Sequence, residues 1–368
     1  MRPSPRAAPL AGRERRVQKM PGNGLVRFGL VVVLALLSVG VATAQVGALP
    51  RAVASSGGVA IASADVASGA TSVPLGRHVA FGAFVGGLPG SGSQVSKFET
   101  SLGARLGVAS SFRGWGDVFP DAAQRRDADS GHRLLIAWDL GSSGATRFST
   151  FTSGAHDGYL ARVAASAANF GRPLYVRPWP ELNADWVPFQ PTAGADRPAG
   201  GTPAQFIAAW RYVVTFFRVH GAGNVRWVFN PTADVYPETT AVSAIWPGSA
   251  YVDVLGLDGY NWGTGGIFTW RTFADIFASQ YRRLAALAPS LPVWVCEFGS
   301  KEPGHADGAP VDAQHSKAQW YRDLLSSTSF PKVSALVMFE VEKERDWRVS
   351  SDPVARQLVG DAVRATAG

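Results

Sequence analysis

Leu174-Tyr-Val-Arg-Pro-Trp-Pro-Glu-Leu-Asn183 begins as an apolar β-type run and ends on two prolines and a carboxylate. Proline has no N–H to give to a ladder, so Pro178 and Pro180 are poor residues for the interior of a sheet. Something other than sheet stability selects this strand end. Pro292-Val-Trp-Val-Cys-Glu-Phe-Gly299 has the same design, an apolar run that stops on a lone glutamate. The expectation is that Glu181 and Glu297 face each other across one pocket.

Outward from these two segments, short apolar runs recur with helical patterns between them. The strand candidates are His78–Val85, Ala104–Phe112, Arg133–Leu140, Leu174–Trp179, Val225–Asn230, Val252–Leu257, Pro292–Glu297 and Val333–Phe339. Amphipathic helix candidates include Gly158–Asn169, Pro203–His220, Trp270–Leu287, Ala313–Ser326 and Pro353–Thr366. Strand–helix alternation repeated through one domain indicates a parallel sheet, and eight units indicate a closed (β/α)₈ barrel. An open doubly wound sheet is the alternative. It calls for a phosphate-binding loop after the first strand, where Gly86-Gly-Leu-Pro-Gly-Ser-Gly92 stands. Its glycine spacing is not G-x-G-x-x-G, and Pro89 stiffens it, so dinucleotide binding is set aside.

In a (β/α)₈ barrel the chemistry sits at the C-terminal strand ends. Glu181 ends the fourth run and Glu297 the seventh, so their carboxylates can converge over the mouth. Two carboxyls about 5–5.5 Å apart suit double-displacement hydrolysis of a glycosidic bond. One must be ionised and the other protonated, so their surroundings must push the two pKa values apart. Period-two alternation adds neighbours. If Glu181 points inward, Arg177 and Trp179 do too, with Arg177 beneath the acid. If Glu297 points inward, Val293 and Val295 join it and Cys296 faces the helices. Gly256, Asp258 and Tyr260 share one side of the sixth run, which brings the Tyr260 hydroxyl within reach of Glu297.

The 368 residues carry a formal charge of +7, but its distribution is uneven. Residues 1–44 hold seven basic side chains (Arg2, Arg6, Arg13, Arg15, Arg16, Lys19, Arg27) and one acid, Glu14, a net of +6, and 7 − 6 leaves +1 for the remainder. A nucleic-acid footprint therefore has no support. The basic stretch precedes the apolar segment Leu30–Val41 and then Ala42-Thr-Ala44, the order of an export signal with an A-x-A cleavage site. Translation from Met20 is compatible with this reading. The alternative is an uncleaved membrane anchor, but the apolar stretch is shorter than the roughly 20 residues a spanning helix needs. Residues 45–76 are rich in Ala, Ser, Gly and Val and read as a linker. Residues 77–368 read as one catalytic domain, secreted and monomeric. Cys296 is the single cysteine, so no intrachain disulfide can form. The six histidines show no metal-ligand spacing and no G-x-S-x-G is present, so neither a metal, another cofactor nor a serine nucleophile is expected.

Arg177-Pro-Trp-Pro-Glu-Leu-Asn-Ala-Asp-Trp186, Val225-Arg-Trp-Val-Phe-Asn-Pro231, Gly256-Leu-Asp-Gly-Tyr-Asn-Trp262 and Val295-Cys-Glu-Phe-Gly299 together resemble glycoside hydrolase family 26. The resemblance spans roughly residues 78–350 with the four motifs in order. That family contains mainly endo-β-1,4-mannanases, with some β-1,3-xylanases and mixed-linkage β-glucanases. The resemblance implies a retaining mechanism on a (β/α)₈ barrel and a polysaccharide or oligosaccharide substrate. It makes Glu181 the acid/base, Glu297 the nucleophile, Trp186 a sugar platform and Tyr260 the tyrosine that touches the nucleophile. One position departs from the pattern. The family usually has histidine directly before the acid/base, and this chain has Pro180.

Trp262 and Trp347 follow strand ends and are further candidates to stack on sugar rings, whereas Trp227 and Trp294 lie within runs and read as core. Asp139, Asp258 and Glu340 also stand near strand ends and compete with the two glutamates. Asp258 reads as support for the loop that orients Tyr260, Glu340 as part of the rim, and Arg177 as an inward ion-pair partner. The rival function is a non-catalytic carbohydrate-binding or cell-surface polysaccharide accessory protein on the same scaffold. Pro180 and the possibility of an anchor motivate it, and the opposed carboxylates argue against it.

Overall fold

The computed structural model describes residues 73–86, 94–141, 147–191, 200–235, 239–264, 268–303 and 315–366. Eight parallel strands close into a barrel in sequence order. They are β1 (Ala80–Val85), β2 (Val108–Arg113), β3 (Arg133–Trp138), β4 (Leu174–Pro178), β5 (Val225–Phe229), β6 (Val254–Asn261), β7 (Val293–Ser300) and β8 (Val333–Glu340). β1 closes the ring on β8, with Ala80 to Val85 in register with Ala335 to Glu340. The (β/α)₈ expectation therefore holds, and each of the eight apolar runs supplies one strand.

The helices are α1 (Gln94–Leu102), α2 (Ala122–Asp129), α3 (Phe148–Thr152), α4 (Asp157–Phe170), α5 (Pro203–Val219), α6 (Phe273–Leu287), α7 (Lys317–Ser326) and α8 (Pro353–Thr366). Their starts follow local chemistry. Asp121, Thr202 and Thr272 each accept from the backbone N–H three residues on and are answered by Gln124, Gln205 and Asp275. Such boxes satisfy N–H groups that a helix start otherwise leaves unpaired. The alternation is not uniform, however. Two helices separate β3 from β4, and among the described residues only short 3-10 turns, Val242–Ile245 and Ser249–Tyr251, lie between β5 and β6.

The barrel interior holds Val108, Leu135, Val228, Val254, Trp294, Cys296, Ala335 and Val337, flanked by Ala80 and Tyr175. Trp294 stacks on Tyr175 across it, with ring centroids 4.3 Å apart. The larger apolar layer, which includes Val293, Val295, Phe298 and Trp227, lies between strands and helices. This reverses the expected orientation of β7, in which Cys296 was to face the helices and Val293 and Val295 the interior. The cause is a β-bulge. Leu257 pairs with Val295 and Asp258 pairs with Glu297, so Cys296 is the extra residue between them. Two successive side chains then face inward, and Glu297 follows Cys296 on the same side.

Signal and linker expectations for residues 1–72 fall outside the described residues. Leu75, inside the expected linker, already packs on the domain. It is fully buried, and its N–H donates to the Ser327 carbonyl at 2.9 Å. Among the described residues no helix is long and apolar enough to cross a membrane. Residues 87–93, which include most of the glycine-rich loop, also lie outside them.

Candidate active site

Glu181 stands just past β4, in a turn where the chain leaves extended geometry. Trp179 and Glu181 have φ of 50° and 55°, on either side of Pro180. Left-handed backbone is uncommon for residues with a Cβ and persists only where the surroundings impose it. Here the anchor is Trp179. Its ring is fully buried, against Phe148 and Phe151 of α3 and Phe206 and Trp210 of α5. Strict alternation placed Trp179 inside the barrel. The strand ends at Pro178, and the positive φ swings the indole out into the helix layer. The half-buried Glu181 carboxylate then accepts from the Trp186 indole N–H at 2.8 Å.

Glu297 sits opposite in charge environment. Its Oε1 accepts from Arg177 Nη2, and its Oε2 accepts from the Tyr260 hydroxyl at 2.6 Å. Arg177 Nη1 donates to Asp258 Oδ2 at 2.6 Å and to Asn230 Oδ1 at 3.1 Å. The guanidinium and the Asp258 carboxylate are both fully buried. Burial opposes the charge on Arg177, but Asp258 and Glu297 outweigh it and hold the guanidinium above its ordinary range. The Tyr260 phenol is pushed well up by burial and then by the charges of Glu297 and Asp258, so it remains a donor. The expected Tyr260–Glu297 contact is present. Arg177 points inward as expected, and its ion pairs run to Glu297 and Asp258 rather than to Glu181.

The Glu181 carboxyl is raised from 4.5 to about 7, first by burial and then by the nearby charge of Glu297. The Trp186 bond, Arg177 and Lys343 pull the other way. Thus two carboxyls at one barrel mouth are held differently. Glu297 has a cation and a phenol hydrogen bonded to it, whereas Glu181 has one indole N–H and a negative neighbour. Burial together with a like charge favours the protonated form of Glu181.

The aromatic candidates divide. Trp186 is half-buried with its indole N–H donating to Glu181. Trp262 is half-buried, stacked on Phe268 at 4.8 Å with the Arg345 guanidinium 5.6 Å from its ring centre. Trp347 is 2% exposed and packs on Tyr260 and Trp262, with centroids 4.7 and 5.0 Å away. This corrects its reading as an open platform, since its ring is covered by those neighbours.

The competing acids have structural partners. Asp139 accepts from the Gly141 N–H at 2.9 Å. Glu340 was expected at the rim but is buried, accepting from the N–H groups of Val349 and Ser350 and from the Ser350 hydroxyl. Asp258 neutralises Arg177, and its carbonyl accepts from Ala233 N–H at 2.7 Å. Asn183, unassigned from sequence, ties two loops together: its Oδ1 accepts from Thr232 N–H and its carbonyl from Thr240 N–H. Its place two residues after Glu181, in a motif of otherwise apolar and site residues, was the available signal. No group of three or more metal-ligating side chains occurs among the described residues.

Comparisons with known proteins bear on the family and the fold. A family model described as Glycosyl hydrolase family 26 matches residues 155–327. The chain is similar to Endoglucanase H of Acetivibrio thermocellus, 33% identical over 290 residues that make up 77% of this chain and 30% of the relative. It is also similar to Mannan endo-1,4-beta-mannosidase A and B of Caldalkalibacillus mannanilyticus, 31% identical over 135 residues, 36% of this chain and 23% of that protein. The matched part is thus under a third of either relative's own length. Among solved structures, the family 26 domain of a Prevotella bryantii endo-beta-mannanase/endo-beta-glucanase superposes with a TM-score of 0.54 at 15% identity, covering 78% of this chain and 93% of that one. A double mutant of the Cellulomonas fimi endo-beta-1,4-mannanase gives 0.54 at 20% identity, covering 77% and 71%. At such identities these two structures speak to the fold.

Proposed function

The chain belongs to glycosyl hydrolase family 26, and from that premise we propose that it is a retaining endo-β-glycosidase acting on a β-linked polysaccharide. The observation that carries the proposal is the unequal pair of carboxyls at one barrel mouth. In the first step the Glu297 carboxylate, oriented by its hydrogen bonds from Arg177 and Tyr260, attacks the anomeric carbon. Glu181, protonated below about 7, gives its proton to the departing glycosidic oxygen. Bond formation removes the Glu297 charge, which is the second effect raising Glu181. Glu181 then becomes a stronger acid, and its carboxylate form accepts the proton of the incoming water in the second step. Trp186 holds its carboxylate through both steps.

A β-1,4-mannan is the substrate implied by the motif resemblance and by the shorter match, and a β-glucan is the reading favoured by the longer one. Pro180 takes the place of a histidine beside the cleaved bond, so contacts there differ from the usual family pattern. Incubation with β-mannan, mixed-linkage β-glucan and β-1,3-xylan, followed by assay of new reducing ends, decides among them. Glu297→Ala abolishes turnover and added azide restores part of it as a glycosyl azide. Robust hydrolysis by that variant without azide would refute the nucleophile. Binding to all three polymers with no new ends would favour the rival, non-catalytic reading. We also propose that residues 1–44 direct export, which N-terminal sequencing of the secreted protein tests.

A further inference from the structure

Lys317 is the first residue of α7, and its side chain is fully buried. A lysine is ill-suited to that place on two counts. The N-terminal end of a helix carries the positive end of its dipole, and burial penalises the ammonium. Burial does lower its pKa, against the pull of Asp346, Glu302, Glu340 and Asp352. What the ammonium does is fixed by its three partners. It donates to the carbonyl of Asp346 at 2.9 Å, the carbonyl of Arg348 at 2.8 Å and the hydroxyl of Ser351 at 2.9 Å. All three ammonium donors are thereby used on one short loop.

Glu340, at the end of β8, takes the other polarity of the same loop by accepting the N–H groups of Val349 and Ser350. A buried cation thus holds two of its carbonyls and a buried anion two of its amides, which pins the loop at both polarities. The residue between the two carbonyls that Lys317 holds is Trp347. Its N–H donates to the Val341 carbonyl at 3.1 Å, and it lies so close to β7 that a Cβ on Gly299 would meet its Cβ at 3.0 Å and its carbonyl oxygen at 3.3 Å. Its ring lies against Tyr260, whose hydroxyl holds Glu297. An apolar residue at position 317 would fill the space but would leave those carbonyls without a donor.

We propose that Lys317 is a positioning residue for the glycosidase site, clamping the loop of Trp347 so that Trp347 holds Tyr260 on Glu297. The inference rests on the functional reading above, because the action it assists is that of Glu297. The test is a double-mutant cycle between Lys317→Met and Tyr260→Phe, on whichever of β-mannan, mixed-linkage β-glucan and β-1,3-xylan the wild type cleaves best. Lys317→Met retains a cooperative melt and loses about tenfold or more in kcat, with KM little changed. In the Tyr260→Phe background the same change costs no more than about twofold, because the hydrogen bond it acts through is already gone. Equal losses in both backgrounds, or activity within about twofold of wild type, overturn the proposal. If Lys317→Met does not fold, Ser351→Ala removes one acceptor and enters the same cycle under the same criteria. If the wild type cleaves none of the polymers, the functional reading fails separately, and near-ultraviolet circular dichroism of the Tyr260, Trp262 and Trp347 cluster tests the clamp. An altered aromatic signal in Lys317→Met supports it, and a spectrum superimposable on wild type overturns it.

Discussion

Glu181→Gln makes the protein more stable relative to wild type as pH rises. The Glu181 carboxyl is raised from 4.5 to about 7 by burial and by Glu297. Between those values the native protein keeps a proton that the unfolded chain has released. Stability changes with pH in proportion to protons bound unfolded minus protons bound native, which is negative here, so this residue's contribution falls as pH rises. The cost is absent below 4.5 and complete above about 7. A difference of about 2.5 units at roughly 1.36 kcal/mol per unit gives an upper figure of ~3 kcal/mol. Partial exposure of the side chain screens some of it, so about 1–3 kcal/mol is expected. Glutamine keeps an oxygen for the Trp186 N–H and cannot ionise, so the variant escapes the penalty. The assay is guanidinium unfolding followed by tryptophan fluorescence, for both proteins, from pH 4.5 to 8.5 at constant ionic strength. Groups remote from position 181 titrate alike in the two proteins and cancel, so the difference of midpoints reports Glu181 together with its charge coupling to its neighbours. A difference that stays flat across this range, or that grows in favour of wild type, refutes the reasoning.

The same shift sets the alkaline side of catalysis: kcat/KM on the cleaved polysaccharide falls as pH rises through about 7, where free-enzyme Glu181 loses its proton, and a limb two units away contradicts the acid assignment. Tyr260→Phe removes the 2.6 Å bond to Glu297 and lowers kcat about tenfold to a hundredfold, while thermal unfolding stays cooperative. Arg177→Met leaves Asp258 and Glu297 buried without their cation and destabilises the fold by about 3–5 kcal/mol in denaturant titrations, part of which Asp258→Asn restores. Gly82→Ala places a Cβ 2.6 Å from that of Val108 in the barrel interior, which costs about 1–3 kcal/mol and is read from the melting temperature.

Much of the architecture could be read along the chain because its signals are local. Each apolar run bounded by turn residues became one strand of the barrel, and the ends carrying Glu181 and Glu297 came to the same mouth. Alternation placed Gly256, Asp258 and Tyr260 on one side of β6, and Tyr260 duly meets Glu297. α1, α2 and α3 were not among the named helix candidates. α2 is mostly polar, with only Gln124 and Ala128 buried, so its apolar stripe is too thin to stand out.

What residue order determined was the number of strands, their parallel arrangement and which two carboxyls they present, since period and turn chemistry act over a few neighbouring residues. What only the folded barrel decided was the aim of those carboxyls. Cys296 and Glu297 both face inward because β7 must stay in register with β6, and that register belongs to the pair of strands. Glu181 adopts its left-handed turn with Trp179 locked among α3 and α5, elements about 30 residues away on either side in the chain. Trp347 is covered, and Arg177 pairs with Glu297, through contacts between segments far apart in sequence. Side-chain direction at a strand end is a balance of long-range packing forces, and no local repeat encodes it.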